Sequence, residues 1–162
     1  MDKATFFAIM GAFPTGVTVV TTLDEQGEPK GLTSNAVSSV SAEPPLMLVC
    51  VDKRSNTLPA LRHTGKWVVN FLSAGRGDLS NLFASKEPDK FHAVSWHPAA
   101  NGMPWLHKDS LAHAECTTDQ EIDAGDHVIL IGRVEAGQAA APGTHPLLYF
   151  RRDYGTWHPG PS

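Results

Sequence analysis

Short runs dense in β-branched and aromatic residues recur along this chain, and the segments joining them are too short for repeated helical crossovers. Neighbouring parallel strands need a connection of about a dozen residues or more, so a doubly wound α/β sheet is disfavoured. The runs are Val17–Leu23, Lys30–Val37, Leu46–Val51, Lys66–Leu72, Leu111–Ile122, His127–Val134 and Pro146–Arg151. Turn chemistry separates them at Asp24–Pro29, where Gly27 supplies a positive φ, at Pro44-Pro45, and at Asp123–Asp126. The pattern predicts a mainly β, barrel-like domain with short helices inserted between strands.

Two or three short helices are expected. Phe6, Phe7, Ile9, Met10 and Phe13 fit a short N-terminal helix packed on the domain. Ser55 or Thr57 is placed to cap a second helix running to about His63, with Pro59 in the first turn, where a missing N–H does no harm. Asp78 is placed to cap a third over Leu79–Ser85. The unbroken apolar run Leu46–Val51 predicts a fully buried strand. Glu87–Lys108 is aperiodic, with Pro88, Pro98, Gly102 and Pro104 beside Trp96 and Trp105, and reads as a long irregular excursion of the functional kind. Residues 1–155 are expected to form one domain, and the Pro/Gly-rich residues 156–162 a flexible tail.

Several function classes are disfavoured. Net charge is −4 and no basic run occurs, which argues against nucleic acid as partner. No apolar stretch approaches the roughly 20 residues of a bilayer span. The first residues lack the basic region and cleavage site of a signal peptide. Cys50 and Cys116 lie far apart with no CxxC spacing, which favours a reducing cytoplasm, and Cys50, inside an apolar run, is expected to be a buried thiol. His92 and His97 have no third ligand at metal spacing, so no metal site is expected. A G-x-S-x-G elbow and a G-x-G-x-x-G turn are both missing, which disfavours an α/β-hydrolase nucleophile and a Rossmann nucleotide site.

The stretch Lys30–Leu61 carries the clearest chemistry. Gly31-Leu32-Thr33-Ser34-Asn35-Ala36 offers hydroxyl and amide groups on small residues, which can meet the edge of a flat polar ring. After one buried strand, Asp52-Lys53-Arg54-Ser55-Asn56-Thr57 offers cations, hydroxyls and the N–H groups of a helix entry, the donors an anion needs. By residue type alone, the first half is equally an ordinary polar edge strand and the second an ordinary capped helix. His127, in the turn that opens a strong strand, is an acid–base group near neutral pH or simply an exposed imidazole. Arg151, Arg152 and Tyr154 form either a cationic, aromatic nucleotide contact or a solvated basic turn.

Taken together and in order, seven segments resemble the flavin reductase family with the FMN-binding split-barrel fold. They are Phe13–Thr22, Gly31–Ala36, Ser41–Leu46, Lys53–Thr57, Val69–Leu72, Gly125–His127 and Pro146–Arg151, within a resemblance covering about residues 5–155. These are the small reductase components of two-component flavin monooxygenases, such as that of 4-hydroxyphenylacetate 3-monooxygenase. The resemblance implies a split β-barrel of Greek-key antiparallel strands. It implies a homodimer with FMN or FAD in a groove at its interface, NADH or NADPH as hydride donor, and a separate acceptor, a monooxygenase component. For the flavin ring it implies Thr33, Ser34, Asn35 and Ala36, with Ser38 and Ser39 as further contacts. For the phosphate side it implies Asp52, Lys53, Arg54, Ser55 and Thr57, closed over by Ser85 and Lys86, with Phe91 and His92 along the same edge. It places His127 as a nicotinamide-positioning group and Arg152 and Tyr154 against the nicotinamide nucleotide. One departure stands out: the family often follows its last strand with Gly-x-Tyr, where this chain has Arg152-Asp153-Tyr154. Two other readings are a corrinoid Co(II) reductase of cobalamin synthesis and a non-catalytic flavin-binding electron carrier.

Overall fold

A computed structural model describes residues 1–160; Pro161 and Ser162, the end of the expected tail, lie outside the described residues. The chain runs α1 (Lys3–Gly11), β1 (Thr15–Gly16), β2 (Thr18–Leu23), β3 (Pro29–Ser34), β4 (Val37–Ala42), β5 (Pro45–Asp52), α2 (Leu58–Thr64) and β6 (Lys66–Leu72). It continues through α3 (Gly77–Ala84), β7 (His97–Pro98), β8 (Pro104–Trp105), β9 (Ser110–Ala124), β10 (His127–Ala139), β11 (Leu148–Phe150) and β12 (Asp153–Gly155). Seven strands form one antiparallel sheet in the order β3-β2-β6-β9-β10-β5-β4.

The two edge strands of that sheet, β3 and β4, are consecutive in sequence and separated only by Asn35 and Ala36. The sheet therefore curls until its edges face each other, and these two residues cross the gap. Among the described residues no ladder closes it; the Cys50 N–H donates to the Ala36 carbonyl at 3.0 Å, and Ser34 Oγ lies 3.5 Å from the Cys50 carbonyl. This is a split barrel. The expected strand Lys30–Val37 is thus two elements: it ends at Ser34, and Val37–Ala42 turns back to pair with β5.

Val20, Leu32, Met47, Val49, Val51, Trp67, Val69, Cys116, Val128 and Leu130 fill the barrel, with Leu58 and Leu61 of α2 packed among them. Trp67 is completely buried, and a Cβ on Gly132 would collide with its ring, so only glycine fits there. A second cluster lies outside the barrel, where Phe83 of α3 and Phe91 and Leu106 of the excursion cover Val17, Val19 and Leu72. Strand β2 is therefore covered on both faces, which is why its β-branched run does not alternate with polar residues. Strand β5 is not. Met47, Val49 and Val51 point inward while Leu48, Cys50 and Asp52 stay half-exposed, so the fully buried strand expected there is corrected to a one-sided one.

The excursion 87–108 is held by buried Asn70. Its Oδ1 accepts from the Leu106 N–H at 2.8 Å, and its Nδ2 donates to the Val19 carbonyl at 3.0 Å and Thr21 Oγ1 at 3.1 Å. Helix α1 forms as expected, capped by Asp2, whose Oδ1 accepts from the Thr5 N–H at 2.9 Å. It does not pack on the domain, however: none of its residues is buried, and Phe6, Phe7, Ile9 and Met10 are about half exposed. Arg76 rather than Asp78 takes the N-cap position of α3, and Asp78 sits in its first turn.

Candidate functional site

A cavity of about 480 Å³ opens at the split of the barrel. Leu32, Thr33, Ser34, Asn35 and Ala36 form one wall, Cys50 and Asp52 of β5 the floor, and Arg54, Ser55 and Asn56 the α2 entry. Phe83, Ala84, Ser85, Lys86 and Lys90 close the far side, and His127 stands at the β10 end. Pairing of His127 with Asp52 in the β5–β10 ladder brings the histidine beside the α2 entry, although 72 residues separate Ser55 from His127 in the chain.

A second cavity, of about 310 Å³, shares Thr33, Asn35 and Ala84 with the first. Its other walls are Val17, Ser80, Asn81, Tyr149, Arg152 and Tyr154. The Tyr154 hydroxyl lies 2.8 Å from Asn81 Oδ1, to which it donates, and 2.9 Å from Ser80 Oγ, which can donate back. The C-terminal hairpin is thereby tied to α3. His127 and the Arg152–Tyr154 pair thus face one shared wall from two sides within a single chain.

Individual side chains differ in how free they are. Thr33 Oγ1 is committed to the Ser80 carbonyl at 2.6 Å. Ser34 Oγ accepts from the Ala36 N–H at 3.2 Å and so shapes the crossing. Asn35 is exposed, and its amide has no hydrogen-bond partner among the described residues. Ser85 Oγ donates to Leu82 O at 2.7 Å and accepts from the Glu87 N–H. His127 Nδ1 lies 2.7 Å from Asp126 Oδ1, which leaves Nε2 as the uncommitted ring nitrogen. The hydrogen bond from His127 holds the Asp126 carboxyl below its ordinary range.

The anion-binding character expected of Asp52–Thr57 is largely satisfied internally. Asp52 takes the Arg54 guanidinium at 3.1 Å (Nε) and 2.8 Å (Nη2) and also the Arg54 N–H at 2.8 Å. These bonds, led by that to the guanidinium, hold the Asp52 carboxyl well below the usual carboxylate range. The Lys53, Ser55, Thr57 and Leu58 N–H groups are bonded to Asp126 O, Asp52 O, Ser55 Oγ and Ser55 O.

Not every expected residue reaches a cavity. Lys53 turns away to Asp123 at 2.7 Å. Thr57 is buried, and its hydroxyl donates to Gly31 O at 2.9 Å. Phe91 is a core residue against Phe83, with ring centroids 5.0 Å apart, because the outer cluster needs its bulk. Ser38 and Ser39 lie on β4, on the far side of the crossing, and are exposed outside both cavities. His92 is solvent-exposed. Conversely, Lys90, Cys50, Phe83 and Ala84 line the main cavity, and Ser80 and Asn81 the second, without having been expected in the site from the sequence. Spacing within one segment could not reveal them, since they arrive from α3, the excursion and the open face of β5.

Residues 10–158 match the flavin reductase like domain. A flavin reductase (NADH) of Kitasatospora aureofaciens is 49% identical over 158 residues, covering 97% of this chain and 83% of that protein. The reductase subunit of a flavin-dependent monooxygenase of Mycobacterium tuberculosis is 39% identical over 155 residues, 95% of this chain and 82% of its own length. The NADH:FAD oxidoreductase of Streptomyces globisporus, solved with NAD and FAD fragments, superposes with a TM-score of 0.90 at 33% identity, covering 98% of this chain and 94% of that one. With a split barrel whose gap opens a cavity among the segments that carried the resemblance, and with this agreement along almost its whole length, the chain belongs to the flavin reductase family.

Proposed function

We propose that this chain is an NAD(P)H:flavin oxidoreductase that supplies reduced flavin to a separate monooxygenase component and works as a homodimer. The observation that carries this reading is the cavity at the split, which gathers Thr33–Ala36, Arg54–Asn56, Lys86 and His127 although the chain separates them widely. The residues fit a flavin. Asn35 offers a free amide, Ala36 and Ala84 leave room for a flat ring, and cationic side chains stand at one end.

When bound, a flavin accepts hydride from the nicotinamide and hands electrons onward. The chain's own part is to bind and orient. Asn35 and the backbone of the crossing face the ring edge. His127, fixed through Nδ1 by Asp126, presents Nε2 to the nicotinamide carboxamide, or to a proton near the ring. Arg152 and Tyr154 of the second cavity hold the nucleotide across the shared wall. Rigid placement of this kind, rather than a protein base, is what hydride transfer requires.

The exposed apolar side chains of α1 support a homodimer, since clustered apolar groups at a surface mark a contact site. Among the described residues no helix is long and apolar enough to cross a membrane, in keeping with a cytoplasmic reductase. The corrinoid reductase and non-catalytic carrier readings have no observation of their own.

Steady-state oxidation of NADH and NADPH, each with and without FMN and FAD, tests the proposal. Oxidation is expected only with flavin present, and it should drop at least about tenfold in His127→Ala or Tyr154→Ala. Loss of no activity in either variant would misplace the nicotinamide, and no flavin-dependent oxidation in the wild type would refute the function.

A further inference from the structure

The charge that meets an anion in the main cavity is not the one the sequence points to. Arg54 is already neutralised by Asp52, and Lys53 by Asp123. Lys90 is different. It comes from the excursion, is half-buried, and reaches back under α3 to line the cavity. Its Nζ donates to Phe83 O at 2.8 Å and Gly31 O at 3.2 Å. An ammonium has three N–H donors, so one remains. None of the ion pairs among the described residues involves Lys90. Its charged neighbour is Lys86, whose Nζ donates to the Arg54 carbonyl at 3.2 Å. Burial, and then Lys86, push the Lys90 pKa down. A partly desolvated cation beside a second cation is unfavourable until an anion joins it.

We propose that Lys90 is the residue by which this cavity selects phosphorylated flavin, holding the phosphate that FMN and FAD share and riboflavin lacks. The inference rests on the flavin reading above. Gly31 has a matching role: a Cβ there would lie 2.8 Å from the Phe83 ring, so the position stays open, and its carbonyl anchors both Lys90 and Thr57. Lys86 adds charge at the rim, and Arg54, paired with Asp52, adds less.

Fluorescence titration of wild type, Lys90→Met, Lys90→Arg and Lys53→Met with FMN and with riboflavin tests it. Wild type should bind FMN at least about tenfold tighter than riboflavin. Lys90→Met should weaken FMN about 10- to 100-fold and leave riboflavin unchanged, the loss expected for a charged hydrogen bond. Lys90→Arg should keep part of the preference, and Lys53→Met, whose ammonium turns away from the cavity to Asp123, should lose no more than about threefold. Three results would overturn the proposal: no FMN preference in wild type, equal weakening of both ligands in Lys90→Met, which would mean that the lysine only caps α3, or an equal loss of preference in Lys53→Met, which would mean that net charge alone sets it. Should Lys90→Met not fold, Lys90→Gln, which keeps an N–H donor for the Phe83 and Gly31 carbonyls without the charge, takes its place with the same expected outcomes. If wild type binds neither flavin, the flavin reading itself fails, a result distinct from the others.

Discussion

Arg152 stands where the resemblance leads one to expect glycine, and the backbone there has the conformation that glycine adopts most easily. Arg151 and Arg152, the two residues between β11 and β12, adopt φ of +49° and +69°. A tight hairpin turn with both central residues left-handed twists correctly for its strands but strains any residue with a Cβ. The chain accepts that strain and gains a cation on the wall of the second cavity. Arg152→Gly should therefore raise stability by about 1 kcal/mol in urea denaturation, while raising KM for the nicotinamide nucleotide. Lower stability would mean that the arginine side chain contributes more than the turn loses. The thiols also differ by position: burial pushes the Cys116 pKa up to about 12, while Cys50, half-exposed on the cavity floor, is raised less.

At the scale of elements, the excursion 87–108 shows how an irregular segment becomes a fixed wall. It has little regular structure beyond the short β7–β8 pair, yet it supplies Phe91 and Leu106 to the outer cluster and Lys90 to the cavity. Asn70 ties it to β2 and β6 through bonds that use both ends of one buried amide. Glu115, also buried, accepts from the Asn101 N–H at 2.7 Å and holds the loop's far end. Removing the Asn70 amide leaves these groups unsatisfied inside the protein. Asn70→Ala should destabilise by about 2–3 kcal/mol and speed proteolysis within 87–108. A stability change under about 0.5 kcal/mol would show that the excursion holds without this anchor.

For the whole molecule, the decisive feature is an apolar helix, α1, none of whose residues is buried by the described residues. Phe7 of α1 is 57% exposed and Phe13, just beyond the helix, 66%. In the proposed dimer these side chains are buried against the second subunit. Phe7→Asp is expected to shift sedimentation equilibrium from dimer to monomer at micromolar concentration, by placing a charge in an apolar contact. If the variant and wild type sediment alike, α1 is not part of the subunit contact.

Much of this was legible in the chain. Where a residue pattern is set by local chemistry, the reading held. The β-branched runs of β2, β6 and β10, the positive-φ turn glycine Gly27, the turn at Asp123–Asp126 and the irregularity of 87–108 all follow from backbone preference and side-chain shape. The order of motifs around Thr33–Ala36, Arg54–Ser55 and His127 was also enough to point to the family. Three things depended on the tertiary structure. The break at Asn35-Ala36 exists because the edges of a curled sheet must be joined there, and nothing in a run of small polar residues marks which one crosses the gap. The partners of Thr33, Thr57 and Phe91 were decided by packing, which buried groups that looked free. The role of Lys90 emerges only when Asp52 is seen to occupy Arg54. Charge in a sequence is only a count; whether it is available to a ligand is decided by which neighbour the fold brings within 3 Å of it.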